Sequence, residues 1–174
     1  MRKGIRKAEP RKAAPARMLA ALVGIHLLLC AVYWGFTPLG GPPDELAHAL
    51  YVHHLVTERT LPVMDPDDRI DYEAYQPPLY YLLAAPFAGV GWSVAGEPLP
   101  EASRLLSMLL GACSLLAVYR IGMLTFGKRE YALGAAALPA LTPTHVMLSS
   151  SVSTGVLTEL VFCAALMLMA EMLV

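Results

Sequence analysis

Charge is scarce in this sequence. Only 16% of its 174 residues are Asp, Glu, Lys or Arg, while 56% are hydrophobic, and the mean hydropathy is +0.52. Water-soluble domains carry about a quarter charged residues, so this balance points to an integral membrane protein. Cysteine is also rare. Cys30, Cys113 and Cys163 each sit inside an apolar run, with no Cys-x-x-Cys and no neighbouring pair of histidines. That pattern argues against a thiolate metal site or a disulfide framework, and the three read as small buried hydrophobes. No repeat of fixed period is visible, which argues against a solenoid. Ser149, Ser150, Ser151, Ser153 and Thr154 supply hydroxyls but no base pattern for nucleophilic catalysis.

The charges that are present are segregated. The net charge is −1, yet seven of the 13 Lys and Arg residues lie in the first 17 positions, and ten of the 14 acids lie between Asp44 and Glu101. Basic residues are retained on the cytoplasmic side of a membrane, so the asymmetry is a topology signal and not a nucleic-acid signal. Residues 1–17 read as a basic, Pro-containing cytoplasmic tail that can also touch anionic lipid.

Residues 18–36 are uncharged apart from His26, and they are long enough to cross a hydrocarbon core of roughly 30 Å. The run exceeds the apolar core of a signal peptide and no Ala-x-Ala site follows it, so it is expected to stay as a helix. Residues 37–102 then form an extracytoplasmic loop. Within it a helix is expected from Asp44 to about Glu58, with the Asp44 carboxylate in its first turn. An acidic turn follows at Asp65-Pro66-Asp67-Asp68. A second helix is expected from Gln76 to about Val90, with Pro77 and Pro78 in its opening turn. It is short for a span and reads as an interfacial helix. Further spans are expected at 103–126, 131–148 and 156–174. The third is rich in small residues from Gly134 to Ala137 and is kinked at Pro139 and Pro143. The expected fold is therefore an all-α polytopic membrane protein with four transmembrane helices, in a cell (inner) membrane with its N-terminus cytoplasmic. The last apolar run continues to Val174 with no polar or basic stop, so the sequence reads as the front of a larger fold.

Two polar stretches flank the acidic loop: Pro42-Pro43-Asp44-Glu45-Leu46-Ala47-His48 and Gln76-Pro77-Pro78-Leu79-Tyr80-Tyr81. Asp44 is placed either to act as a base or to cap a helix. Glu45, as its neighbour, points elsewhere on a helix and can orient the backbone or pair with a basic residue. Asp44 and His48 share a helix face at i, i+4 and form a candidate pair of ligands for a divalent metal; His53 and His54 do not complete a four-ligand set on this helix. Interfacial histidines facing headgroups are the alternative. In the last span Glu159 is a carboxylate at membrane depth, where a charge is costly and usually faces protein or water.

Together these stretches resemble the N-terminal part of integral-membrane glycosyltransferases of the C superfamily, in the branch related to protein O-mannosyltransferases and to enzymes that move aminoarabinose onto lipid A. The resemblance runs over about 16–174. It implies a transferase that takes a sugar from a polyprenyl-phosphate donor and moves it to an acceptor on the non-cytoplasmic face. It implies the acidic pair Asp44 and Glu45 in catalysis, with Asp44 as base. Gln76-Pro77-Pro78-Leu79-Tyr80-Tyr81 matches the family's Lys/Gln-Pro-Pro-Leu-x-Tyr, with Gln76 in place of the Lys of some branches. By the same resemblance Gln76, Tyr80, Tyr81 and Arg104 are substrate-binding candidates. The tyrosines can stack on sugar or anchor in the interface. Arg104 can meet the donor phosphate, pair with Asp44 or Glu45, or snorkel. Gly155 stands where relatives carry an Asp. Some relatives use a divalent metal and others do not.

Two other function classes fit the same residues. One is a non-catalytic subunit that a partner completes. The other is a transporter or proton-relay module built on Glu159, Asp44 and the histidines.

Overall fold

The computed structural model describes residues 13–64 and 71–173; the basic tail as far as Lys12 and the acidic turn at 65–70 lie outside them. Among the described residues the chain is helical, without strands. Seven α-helices follow one another: α1 (Ala13–Phe36), α2 (Glu45–Thr57), α3 (Leu79–Val94), α4 (Arg104–Phe126), α5 (Arg129–Leu141), α6 (Pro143–Ser149) and α7 (Gly155–Leu173). Short 3-10 turns at Asp71–Tyr75 and Pro100–Ser103 lead into α3 and α4.

Among the described residues three segments are long and apolar enough to cross a membrane: Ala16–Phe36, Pro100–Phe126 and Gly155–Leu173. Their outer faces are apolar and leave Leu28, Phe162 and Met169 more than half exposed. Such faces suit lipid, since each helix satisfies its own backbone. α3 has 16 residues with Pro86 inside, and at 1.5 Å per residue it reaches roughly 24 Å. It is too short to cross alone, in line with the expected shorter helix.

The single kinked helix expected at 131–148 is instead two pieces. Pro143 has no N–H to donate, and it drives the residue before it out of the helical region. Thr142 accordingly adopts φ −75° and ψ 122°, ending α5 and opening α6. The small-residue packing surface also differs from the expected one. Ala132, Ala136 and Ala140 form the fully buried ridge of α5, whereas Gly134 faces open space. Opposite this ridge on α4, a Cβ on Gly122 would lie 2.8 Å from the Ala132 Cα. The backbones can approach this closely only because both positions are small.

At one end of the bundle α2 and α3 fold over the start of α4 and the connection into α7. The apolar cluster there joins Tyr51 and Val52 of α2, Tyr80, Tyr81, Ala84 and Ala88 of α3, Leu106 of α4, and Val152 and Val156. The Tyr51 and Tyr81 rings stack with centroids 3.7 Å apart. At the other end Arg120 of α4 meets Glu171 of α7 at 3.0 Å, with both side chains well exposed. An exposed pair of this kind contributes little, about 0–1 kcal/mol.

Candidate functional site

The site is assembled around Glu45 and Arg104. Glu45 opens α2 and is fully buried, and Arg104 opens α4 and is 1% exposed. The guanidinium fork meets the carboxylate edge on, with Nε donating to Oε1 at 2.7 Å and Nη2 to Oε2 at 2.7 Å. Its remaining reach goes to the end of α1: Nη1 donates to the Thr37 carbonyl at 2.9 Å and Nη2 to the Pro38 carbonyl at 3.1 Å. The carboxylate also accepts the Gly40 N–H at 2.9 Å and the Val152 N–H at 3.0 Å. A planar bidentate pair with its other valences filled is the form in which buried charges are tolerated. Of the roles open to Arg104, pairing with Glu45 is the one observed; it does not snorkel.

Glu45 thus turns inward, while its neighbour Asp44 stays on the surface. Asp44 takes the N-cap position of α2 but has φ 60° and ψ −2°, and its side chain makes no capping hydrogen bond. This left-handed conformation costs a non-glycine residue roughly 1–2 kcal/mol, with Asp among the residues that tolerate it best. The helix expected to start at Asp44 starts one residue later. The Asp44 carbonyl accepts the His48 N–H at 3.1 Å. Asp44 thus sits in a strained turn at the start of the helix, and such strain collects at functional positions.

His48 is buried, and its Nδ1 lies 2.8 Å from the Tyr81 hydroxyl. Burial pushes its pKa below the ordinary imidazole value, against the opposing pull of Glu73, Asp44 and Glu45. With one ring nitrogen engaged by Tyr81, His48 has a single nitrogen to offer beside Asp44. Among the described residues no three His, Cys, Asp or Glu side chains gather as a metal cluster.

Tyr80 and Tyr81 are both buried, at 1% and 0% exposure, so anchoring against headgroups is not their role. The Tyr80 hydroxyl lies 2.8 Å from Ser107 Oγ and accepts the Ser153 N–H at 3.2 Å. Burial raises its pKa to about 12 and also raises that of Tyr81, so both remain phenols. Gln76 accepts the Thr154 hydroxyl at 2.8 Å and donates through its amide to Glu73.

These bonds converge on one short loop. Glu45 holds Val152, Tyr80 holds Ser153 and Gln76 holds Thr154. Both polar stretches of the sequence are thereby fixed, with Arg104, at one end of the bundle. From Gln76 and Thr154 a groove of about 430 Å³ runs along α7 past Thr158 to Val161, Phe162 and Ala165. It is polar at one end and apolar along its length. Glu73, Ser107 and Val152 were not singled out from the sequence, and Ser153 and Thr154 were read there only as hydroxyls; their pairing across the fold brings them to the site.

Comparison with protein-family models, with curated proteins and with solved structures finds no match for the chain.

Proposed function

We infer that the chain is the membrane-embedded front of a glycosyltransferase that moves a sugar from a polyprenyl-phosphate donor to an acceptor on the non-cytoplasmic face. The observation that carries this reading is the convergence of both motif stretches on Val152, Ser153 and Thr154, beside an amphipathic groove. A lipid-linked sugar has the same division: a polar head for the Gln76 end and an isoprenoid tail for the apolar length beside α7. In this reading the end bearing Asp44 faces out of the cell. α1, α4 and α7 cross the membrane, and α5 with α6 makes a broken fourth crossing.

The reaction needs one base and one leaving group. Asp44 takes the proton of the acceptor nucleophile as that atom bonds to C1 of the sugar. The C1–O bond to the phosphate breaks, and polyprenyl phosphate leaves. Arg104 is committed to Glu45 and two carbonyls, so it acts by positioning α2 and is not a phosphate ligand. The Gln76 amide, with a second N–H, is the head-group contact this arrangement offers. The test is transfer of radiolabelled sugar from polyprenyl phosphate in native membranes. Asp44→Asn removes the base and is expected to abolish transfer while the protein accumulates normally. Undiminished transfer by Asp44→Asn overturns the assignment of the base, and no transfer by the wild-type protein overturns the reading.

A further inference from the structure

A second polar cluster lies inside the bundle, away from the site above. Four helices contribute to it: His26 and Cys30 from α1, His145 and Ser149 from α6, Glu159 from α7, and from α4 the small residue Gly111. Its packing is tight. A Cβ on Gly111 would overlap the Ser149 side chain and lie 3.4 Å from His26 Nε2. His26 Nδ1 lies 3.1 Å from the Ala140 carbonyl at the end of α5. A carbonyl only accepts, so Nδ1 carries the hydrogen and Nε2 is the bare nitrogen. Cys30 Sγ lies 3.5 Å from that Nε2. His145 Nδ1 lies 3.0 Å from Glu159 Oε2, and its Nε2 lies 3.5 Å from Ser149 Oγ. The two imidazoles stack with centroids 5.0 Å apart.

We propose that this cluster is a proton-binding site within the helical bundle, taking one proton onto Nε2 of His145. A carboxylate at this depth needs a compensating charge. No Lys or Arg shares a described ion pair with Glu159, whose partner is His145. Before uptake, His145 is a neutral ring that donates from Nδ1 to the carboxylate and accepts from Ser149 at Nε2. The incoming proton bonds to Nε2, and the Nδ1 hydrogen is then shared between imidazolium and carboxylate. The pair goes from one net negative charge to none. The Ser149 hydroxyl changes from donor to acceptor. Uptake stops at one proton, because a second on His26 would set two cations face to face.

The remaining neighbours fit this assignment. α4 presents Ser107, Gly111 and Ser114 along one face, without an ionisable group. Ser114 Oγ, among the described residues, is a buried hydroxyl with no hydrogen-bond partner. On α7, Cys163 stands one turn beyond Glu159 and is the other ionisable group on that face. The Glu159 side chain is 31% exposed and that of His145 is 7%. Among the described hydrogen bonds, His145–Glu159 is the one that joins α6 to α7. Protonation therefore tightens that junction, and deprotonation loosens it.

This proposal does not depend on the transferase reading, and its test does not use transfer. The full chain, labelled with 15N-histidine and 13C-carboxyl glutamate, is placed in lipid bilayers. Solid-state NMR identifies His145 by its short distance to a glutamate carboxyl carbon, without any substitution. Between about pH 8 and about pH 5, the range in which histidines change charge, His145 Nε2 is expected to pass from the bare to the protonated chemical-shift range. His26 is expected to keep one bare nitrogen throughout. His145 remaining neutral at the acid end overturns the proposal, and so does protonation of both rings. In Glu159→Gln the His145 transition is expected to be lost from this pH range. An unchanged transition in that variant would remove Glu159 from the site and overturn the proposal.

Discussion

Arg104→Met is the perturbation that tests the architecture most directly. Methionine keeps much of the stem's volume but supplies none of the donors. The substitution leaves the Glu45 carboxylate fully buried with two backbone N–H groups, from Gly40 and Val152, in place of four donors. It also strips the Thr37 and Pro38 carbonyls of their guanidinium donors. Removing one partner of a buried ion pair costs about 3–5 kcal/mol. Each 1.4 kcal/mol is a factor of ten, so the folding equilibrium should weaken by roughly a hundredfold to four-thousandfold. A double-mutant cycle with Glu45→Gln isolates the pair. Glu45→Gln keeps acceptor oxygen for one backbone N–H and removes the charge, so the double variant should be more stable than the sum of the two single losses predicts. A coupling of about 2 kcal/mol or more is expected, within the range seen for residues sharing one network. The assay is reversible unfolding in mixed micelles, followed by the signal of the stacked tyrosines. A loss below about 1 kcal/mol for Arg104→Met, the size of an exposed pair, would refute the reasoning.

Three further outcomes follow from the same contacts. Tyr81→Phe removes the hydroxyl beside His48 Nδ1 and should cost about 1–3 kcal/mol, the usual penalty for stranding a buried polar partner; a shift in Tm of the purified protein measures it. His48 has a folded-state pKa below its ordinary value of 6.5 because burial disfavours the charged ring. Below pH 6.5 the unfolded chain therefore binds the proton that the folded chain refuses, so this contribution to stability is complete above pH 6.5 and declines as the pH falls. Faster amide exchange along α2 at acid pH, after correction for intrinsic rates, would show it, and His48→Gln should flatten the dependence. Gly122→Val inserts a branched side chain where even a Cβ meets Ala132 at 2.8 Å. It should separate α4 from α5 at a cost of about 1–3 kcal/mol, read as a lower Tm in detergent, whereas Gly134→Ala, which meets nothing within 4 Å, should be nearly silent.

The three long helices were legible because the bilayer sets a length, and predominantly apolar runs of 19 residues or more announce themselves. The break at Thr142 was half legible. Pro143 signalled a disturbance, but whether a proline bends a helix or divides it depends on the backbone around it. Arg104 and Glu45 were legible as charged residues with a pairing to make, and the partner was among the open choices. The burial of Tyr80 and Tyr81 was not, since a tyrosine beside a membrane span reads the same whether it faces headgroups or the Tyr51 ring. Least legible was His26. In sequence it is a single polar residue in an apolar run, and only the folded chain brings it face to face with His145. For Asp44 the sequence offered base or cap, and the structure removes the side-chain cap.

The buried carboxylate at Glu45 also sets a schedule. Its charged partner, Arg104, follows 59 residues later in the chain, and the Val152 N–H follows 107 residues later. At the usual synthesis rate of about 5–20 residues per second, Glu45 waits roughly 3–12 seconds for the guanidinium and roughly 5–20 seconds for the last donor. During that interval its charge must stay hydrated, so α2 cannot dock early. The end of the bundle that carries Asp44 is thus completed only after α4 and the segment leading into α7 have been made. A ribosome stalled between these points would hold an open intermediate whose Glu45 is still in water.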